Sequence, residues 1–141
     1  MTRRDAGFTL IEMLAVLAVL ALVAGIVVAH GPARSQALEA RGAASQMASA
    51  LRQARGLAIG SGQAVLMVMD VARGGYGLQG GPMQMLPAGL VMAAPAGIRF
   101  RPDGSSSGGQ VELRDGQRRL RVGVDWLSGR VTVAEMAGDE P

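Results

Sequence analysis

Residues 8–29 set the first constraint on this chain, because so apolar a stretch has to be covered by lipid or by protein. Between Phe8 and Ala29 the only charged side chain is Glu12, and from Met13 to Ala29 every residue is apolar or glycine. A helix rises ~1.5 Å per residue and needs about 20 such residues to cross a bilayer. The run meets that length and reads as a transmembrane and assembly helix. Arg3 and Arg4 precede it, and no Arg or Lys follows until Arg34. Basic flanks stay on the cytoplasmic side. The bias therefore puts the N-terminus inside and the bulk of the chain outside.

A cleaved secretory signal is the competing reading. It would pair a shorter apolar core with a small-x-small cleavage site, and Ala24, Gly25 and Ala29 supply small residues. That reading leaves Glu12 without a purpose. A carboxylate in hydrocarbon costs about 2.5–3.5 kcal/mol on insertion scales, or shifts its pKa. Glu12 is therefore a functional candidate. The plainer alternative places it near the headgroups at the helix start, where the helix dipole favours a carboxylate.

The stretch Gly7-Phe8-Thr9-Leu10-Ile11-Glu12-Met13-Leu14, followed directly by the apolar run, resembles the class III leader junction of type IV pilins and type II secretion pseudopilins. The resemblance implies that a prepilin peptidase cuts between Gly7 and Phe8 on the cytoplasmic side. It implies that the same enzyme methylates the new amine of Phe8. It also implies that Glu12, fifth in the mature chain, pairs with the N-terminal amine of a neighbouring subunit. The chemistry suits these roles. Gly7 lets an extended chain enter a tight site without a side chain. A carboxylate in hydrocarbon needs a cation, and a pair in which both charges are desolvated favours correct register more clearly than raw stability.

The rest of the chain follows from pattern. His30-Gly31-Pro32 interrupts the apolar run, and proline in a helix interior removes a hydrogen bond. Either the helix continues through Pro32, or it ends near Ala29 and restarts with Ser35 as its cap. His30, the only histidine, reads as a surface residue. From Ser35 to Ile59 a narrow stripe of Ala40, Ala44, Met47, Leu51, Ala54 and Ala58 recurs at helical spacing. Gly60-Ser61-Gly62 ends that helix.

Strand grammar then takes over. Residues 64–69 and Tyr76–Gln79 read as a hairpin around Asp70 and Arg73-Gly74-Gly75, closed by Gly80-Gly81-Pro82. Residues 86–91 read as an irregular connection leading to a short strand. Ile98–Arg101, Val111–Arg114, Leu120–Val124 and Arg130–Val133 alternate as half-buried strands do. The residues from Ala134 to Pro141 read as a frayed acidic tail. The expected organisation is a cleaved leader over 1–7, the transmembrane helix over 8–29, a periplasmic stalk helix over 30–62 and a periplasmic β domain over 63–141. The fold class is α+β: a long N-terminal helix packed on a mainly antiparallel sheet, as in type IV pilins.

Two C-terminal stretches sharpen the resemblance. Phe100-Arg101-Pro102-Asp103-Gly104-Ser105-Ser106-Ser107-Gly108-Gly109 and Val124-Asp125-Trp126-Leu127-Ser128-Gly129-Arg130-Val131 are similar to the minor pseudopilin H family of type II secretion. Ser128 stands where that family usually has Thr. The stalk stretch Leu51–Ile59 is similar too, whereas residues 80–97 match nothing in it. The resemblance implies a minor structural subunit at or near the tip of the pseudopilus, helping to export folded periplasmic proteins across the outer membrane. Its implied partners are the prepilin peptidase, the other minor pseudopilins, the major pseudopilin and, before assembly, inner-membrane lipid. The alternative is a type IV pilus minor pilin serving pilus assembly or DNA uptake.

Read without that resemblance, the same stretches are structural. Asp103-Gly104 starts a turn, and Ser105 to Gly109 has the composition of a flexible loop tip. A phosphate cradle would want a Gly-Lys-Ser/Thr opening a helix, and the chain has no Lys. Trp126 reads as a core anchor beside a turn. Leu127-Ser128-Gly129 makes the last hairpin.

The chain holds no cysteine and a single histidine, so disulfides, thiolate sites and cysteine nucleophiles are excluded. No catalytic group, cofactor site or metal site is expected, and the protein does not read as an enzyme. Asp103, Asp115 and Asp125 lie on separate turns without the spacing of a calcium loop. Net charge is +3, with Arg114, Arg118, Arg119 and Arg121 clustered on one hairpin. Aromatics that would stack on single-stranded bases are missing nearby, and Glu112 and Asp115 dilute the charge. The cluster reads as a solvated strand face, and nucleic acid is not an expected partner.

Overall fold

The computed structural model describes residues 9–116 and 118–136, with the side chains of 27–35 excepted. The chain divides into two compact units, Met1–Ser35 and Gln36–Pro141. One helix, α1 (Leu10–Ser61), enters both. It includes Pro32, so helix neither stops at Ala29 nor restarts at Ser35.

In the first unit every described side chain of α1, from Leu10 to Ile26, is exposed. Thr9 caps the helix: its carbonyl accepts the N–H groups of Glu12 at 3.0 Å and Met13 at 3.2 Å. Among the described residues no helix is long and apolar enough to cross a membrane. Within the 8–29 run the described side chains cover only 9–26, short of the ~20 apolar residues a span needs. The span is thus a reading of the sequence.

In the second unit α1 is amphipathic as its stripe requires. Ala44, Met47, Leu51, Ala54 and Ala58 are fully buried, and Ala40 nearly so. Ala37, Ala43 and Ala48 join them, so the sealed face is wider than the predicted stripe. Small side chains let the helix sit close on the sheets, and Met47 and Leu51 reach further in among them. Gly62 ends the helix with φ +66°, the left-handed cap that glycine adopts without steric cost.

Among the described residues eight strands follow: β1 (Val65–Asp70), β2 (Gly75–Leu78), β3 (Gln84–Met85), β4 (Val91–Ala93), β5 (Gly97–Phe100), β6 (Gly109–Asp115), β7 (Arg118–Val124) and β8 (Val131–Met136). The predicted strands and the β1–β2 hairpin are all present, every pairing is antiparallel, and the fold is α+β. The sequence did not show that the strands form two sheets, ordered β3-β2-β1-β5 and β4-β6-β7-β8. The chain crosses to the second sheet for β4, returns for β5, and crosses again for β6. This double crossing stitches the sheets over one core, in which Met67, Ile98 and Phe100 from the first meet Val111, Leu113 and Val122 from the second.

Candidate assembly sites

Two places carry the features that the sequence singled out, one in each unit. In the first, Thr9-Leu10-Ile11-Glu12 is a capping-box sequence. The Glu12 N–H donates to Thr9 Oγ1 at 3.3 Å, and Glu12 lies in the first turn, where the helix dipole favours a carboxylate. The same residue also serves a longer face. Glu12, Ala15, Val16, Val19 and Leu20 line one shallow groove, a spacing that puts them on one side of the helix. The Glu12 side chain is exposed, and among the described residues its carboxylate has no cationic partner. Gly7 and Phe8, the expected cleavage and methylation positions, lie outside the described residues.

In the second unit the structure brings together stretches that are far apart in sequence. The loop of residues 101–108 lies against the β7–β8 turn, and α1 holds both. Ser106 is 2% exposed. Its N–H donates to the Trp126 carbonyl at 2.9 Å, and its hydroxyl donates to the Asp125 carbonyl at 2.9 Å and accepts the Gly108 N–H at 2.9 Å. From the helix, Arg55 Nε donates to the Gly104 carbonyl at 3.0 Å and Arg52 Nη2 to the Val131 carbonyl at 3.3 Å. A Cβ on Gly129 (φ +62°) would collide with the Gly104 carbonyl and approach Arg55 Nε to 2.8 Å. Only glycine fits there, for backbone conformation and for space.

Each of the two turns also has its own carboxylate clasp. Asp125 Oδ1 accepts the Ser128 N–H and hydroxyl, both at 2.7 Å. Asp103 Oδ1 accepts the Ser105 N–H at 2.9 Å and hydroxyl at 2.6 Å. These bonds favour the charged form, and both carboxyls titrate below their ordinary value. The Ser105 hydroxyl is the chief cause at Asp103, and the Ser128 N–H is the chief cause at Asp125. The side chain at position 128 works through a hydroxyl, so Ser here can do what Thr does elsewhere.

This geometry corrects two expectations. Trp126 is not a core anchor: it is 65% exposed, and its neighbour Leu127 is 66% exposed. The turn fixes Trp126 by its backbone, and its Cβ passes over Gly108, where an added Cβ would approach it to 3.0 Å. The indole borders an open groove with Gly109, Gln110, Gly123 and Thr132. Residues 105–109 are not a loose tip either, since Ser106 is a buried polar strut. Its role was hidden because the sequence does not show which backbone groups a serine will reach. Asp103, Asp115 and Asp125 do not converge, and among the described residues no cluster of acids and histidine could hold a metal ion.

The chain's relatives fit this geometry. Residues 43–129 match the family described as Type II transport protein GspH, which spans the Arg55 ties, the 101–108 loop and the clasped turn. The chain belongs to the GspH family of type II secretion minor pseudopilins. Residues 2–28 separately match the prokaryotic N-terminal methylation motif. The Type II secretion system protein H of Xanthomonas campestris pv. campestris is 30% identical over 140 residues, covering 92% of this chain and 83% of that protein. The fold resembles that of the minor pseudopilin EpsH from the type 2 secretion system of Vibrio cholerae. That likeness has a TM-score of 0.57 at 18% identity and covers 72% of this chain and 99% of EpsH. The family is a structural one whose members assemble with other pseudopilins, and the methylation motif implies processing by a prepilin peptidase. A DNA-uptake pilin is not favoured.

Proposed function

We propose that the chain is a minor structural subunit at or near the tip of the type II secretion pseudopilus, where it helps export folded proteins across the outer membrane. Prepilin peptidase cuts between Gly7 and Phe8 and methylates Phe8. Residues 8–29 then hold the subunit in the inner membrane, with the N-terminus cytoplasmic and the β domain periplasmic, until it is drawn into the filament. There Glu12 pairs with the N-terminal amine of a neighbour, next to the major pseudopilin and the other minor ones.

The observation that carries this reading is the exposed apolar helix face with one carboxylate on it. Water is a poor medium for Leu10, Ile11, Leu14 and Leu17, and lipid or neighbouring helices are a good one. A carboxylate in that setting calls for a cation, and a processed neighbour's terminus supplies it. The test is Glu12→Ala in cells that carry the whole secretion system. Cleavage continues, incorporation into the pseudopilus falls, and export falls with it. Normal co-assembly of this variant with its partners overturns the reading.

A further inference from the structure

The outer face of the second sheet departs from the pattern that the rest of the β domain keeps. On β6 and β7 its inner face is apolar and sealed, with Val111, Leu113, Leu120 and Val122 buried. Its outer face carries Glu112 and Arg114 from β6 and Arg119 and Arg121 from β7. The ladder sets Arg114 directly opposite Arg119, and Glu112 directly opposite Arg121. Glu112 serves two cations: Arg114 Nη2 reaches Oε2 at 3.3 Å, and Arg121 Nη2 reaches Oε1 at 3.4 Å. Among the described residues Arg119 has no ion pair or side-chain hydrogen bond.

Like charges directly opposite across an antiparallel pair oppose folding. The Arg114–Arg119 juxtaposition therefore costs stability, and of the two only Arg114 has a carboxylate partner among the described residues. Arg121 Nε is buried and has no acceptor. Apolar residues stand at both ends of the same row, with Val91 opposite Arg114 and Met136 opposite Arg119. Val91 is 64% exposed. Two neighbouring guanidiniums between apolar ends suit carboxylates on a protein surface that also has apolar contacts to offer.

We propose that this face, centred on Arg114, Arg119 and Arg121, is a docking surface for a carboxylate-bearing face of a sibling pseudopilin. Naming a sibling rests on the function proposed above. Charge complementarity selects the partner's chemistry, with three cations against one anion here. Glu112 stands in the middle of the face and repels a phosphate backbone. Among the described residues the one aromatic bordering the face is Trp126, at its far end beside Gln110, Gly123 and Thr132, whereas binding a strand of bases calls for successive rings among the cations.

The test titrates the full-length processed chain, in detergent, with each purified sibling pseudopilin in turn. One sibling binds, and raising the salt weakens it. Arg119→Gln lowers that affinity about tenfold or more while melting at the same or a higher temperature, because the like-charge pair is gone. Arg114→Glu with Arg119→Glu lowers it further. A folded Arg119→Gln protein that binds its sibling as the wild type does overturns the docking face and leaves the proposed function intact. So does a deficit confined to DNA or to anionic vesicles. A wild-type chain that no sibling binds overturns both.

Discussion

The two ends of α1 differ in composition and in circumstance, the first almost wholly apolar and the second about half so. From Leu10 to Ile26 the helix is apolar all round and every described side chain is exposed, Leu10 at 81%. From Gln36 to Ser61 its apolar side chains concentrate on one stripe that the two sheets seal, while Arg41, Arg52 and Arg55 reach out from the flanks. The second stretch covers most of its apolar side chains within its own chain, leaving Leu38, Leu57 and Ile59 exposed. The first has no inner and outer side, and whatever covers it comes from outside. Helix propensity does not distinguish them; the distribution of polar residues around the axis does.

The largest expected effect probes the sealed end. Leu51→Ala should destabilise the β domain by about 2–5 kcal/mol, the usual cost of emptying a fully buried leucine site. Leu17→Ala, which removes the same atoms from an exposed site, should leave the melting of that domain within about 0.5 kcal/mol of wild type. Denaturant melts of the two purified variants check this directly, and equal losses would break the contrast.

Next comes the point where α1 holds the C-terminal turns. Gly129→Ala puts a Cβ against the Gly104 carbonyl and Arg55 at a left-handed residue, a strain of about 1–3 kcal/mol. It should lower the melting temperature and change the environment of Trp126, which near-UV circular dichroism reads. Arg55→Ala should shift the same signal less, since it removes one bond without adding strain.

The exposed end is probed by Glu12→Ala, whose expected effect on melting of the β domain is close to nil. A clear destabilisation of that domain would show that the two ends of the helix are not independent. The smallest effect concerns acid. Asp103 and Asp125 titrate below their ordinary value of 3.8 when folded. Their contribution is therefore complete above that value and is lost as pH falls through the lower folded pKa. A melting series from pH 6 to about pH 2 should show extra loss below about pH 4, reduced in Asp125→Asn.

Much of this was legible in the sequence. The Ala40–Ala58 stripe, the glycine stop and the alternating strands all depend on local period, and local period is written in consecutive residues. The leader junction and the two C-terminal motifs were legible for a different reason, as resemblances. What was hidden depended on distant pairing. No local pattern says that β4 leaves the first sheet for the second. Nor does any say that Ser106, in a stretch of serines and glycines, is the one that goes inside. Trp126 misled because aromatic bulk argues for burial, whereas here the turn's backbone bonds place it and its ring remains in solvent.

Arg52 and Arg55 give the molecule a mechanical character. They run from the helix to the Val131 and Gly104 carbonyls, like stays from a mast to two points on a sail. Within the second unit they tie the two segments beside the clasped turn to the helix. A push or twist delivered to residues 36–61 is therefore passed through these two bonds to the loop and strand that flank Trp126.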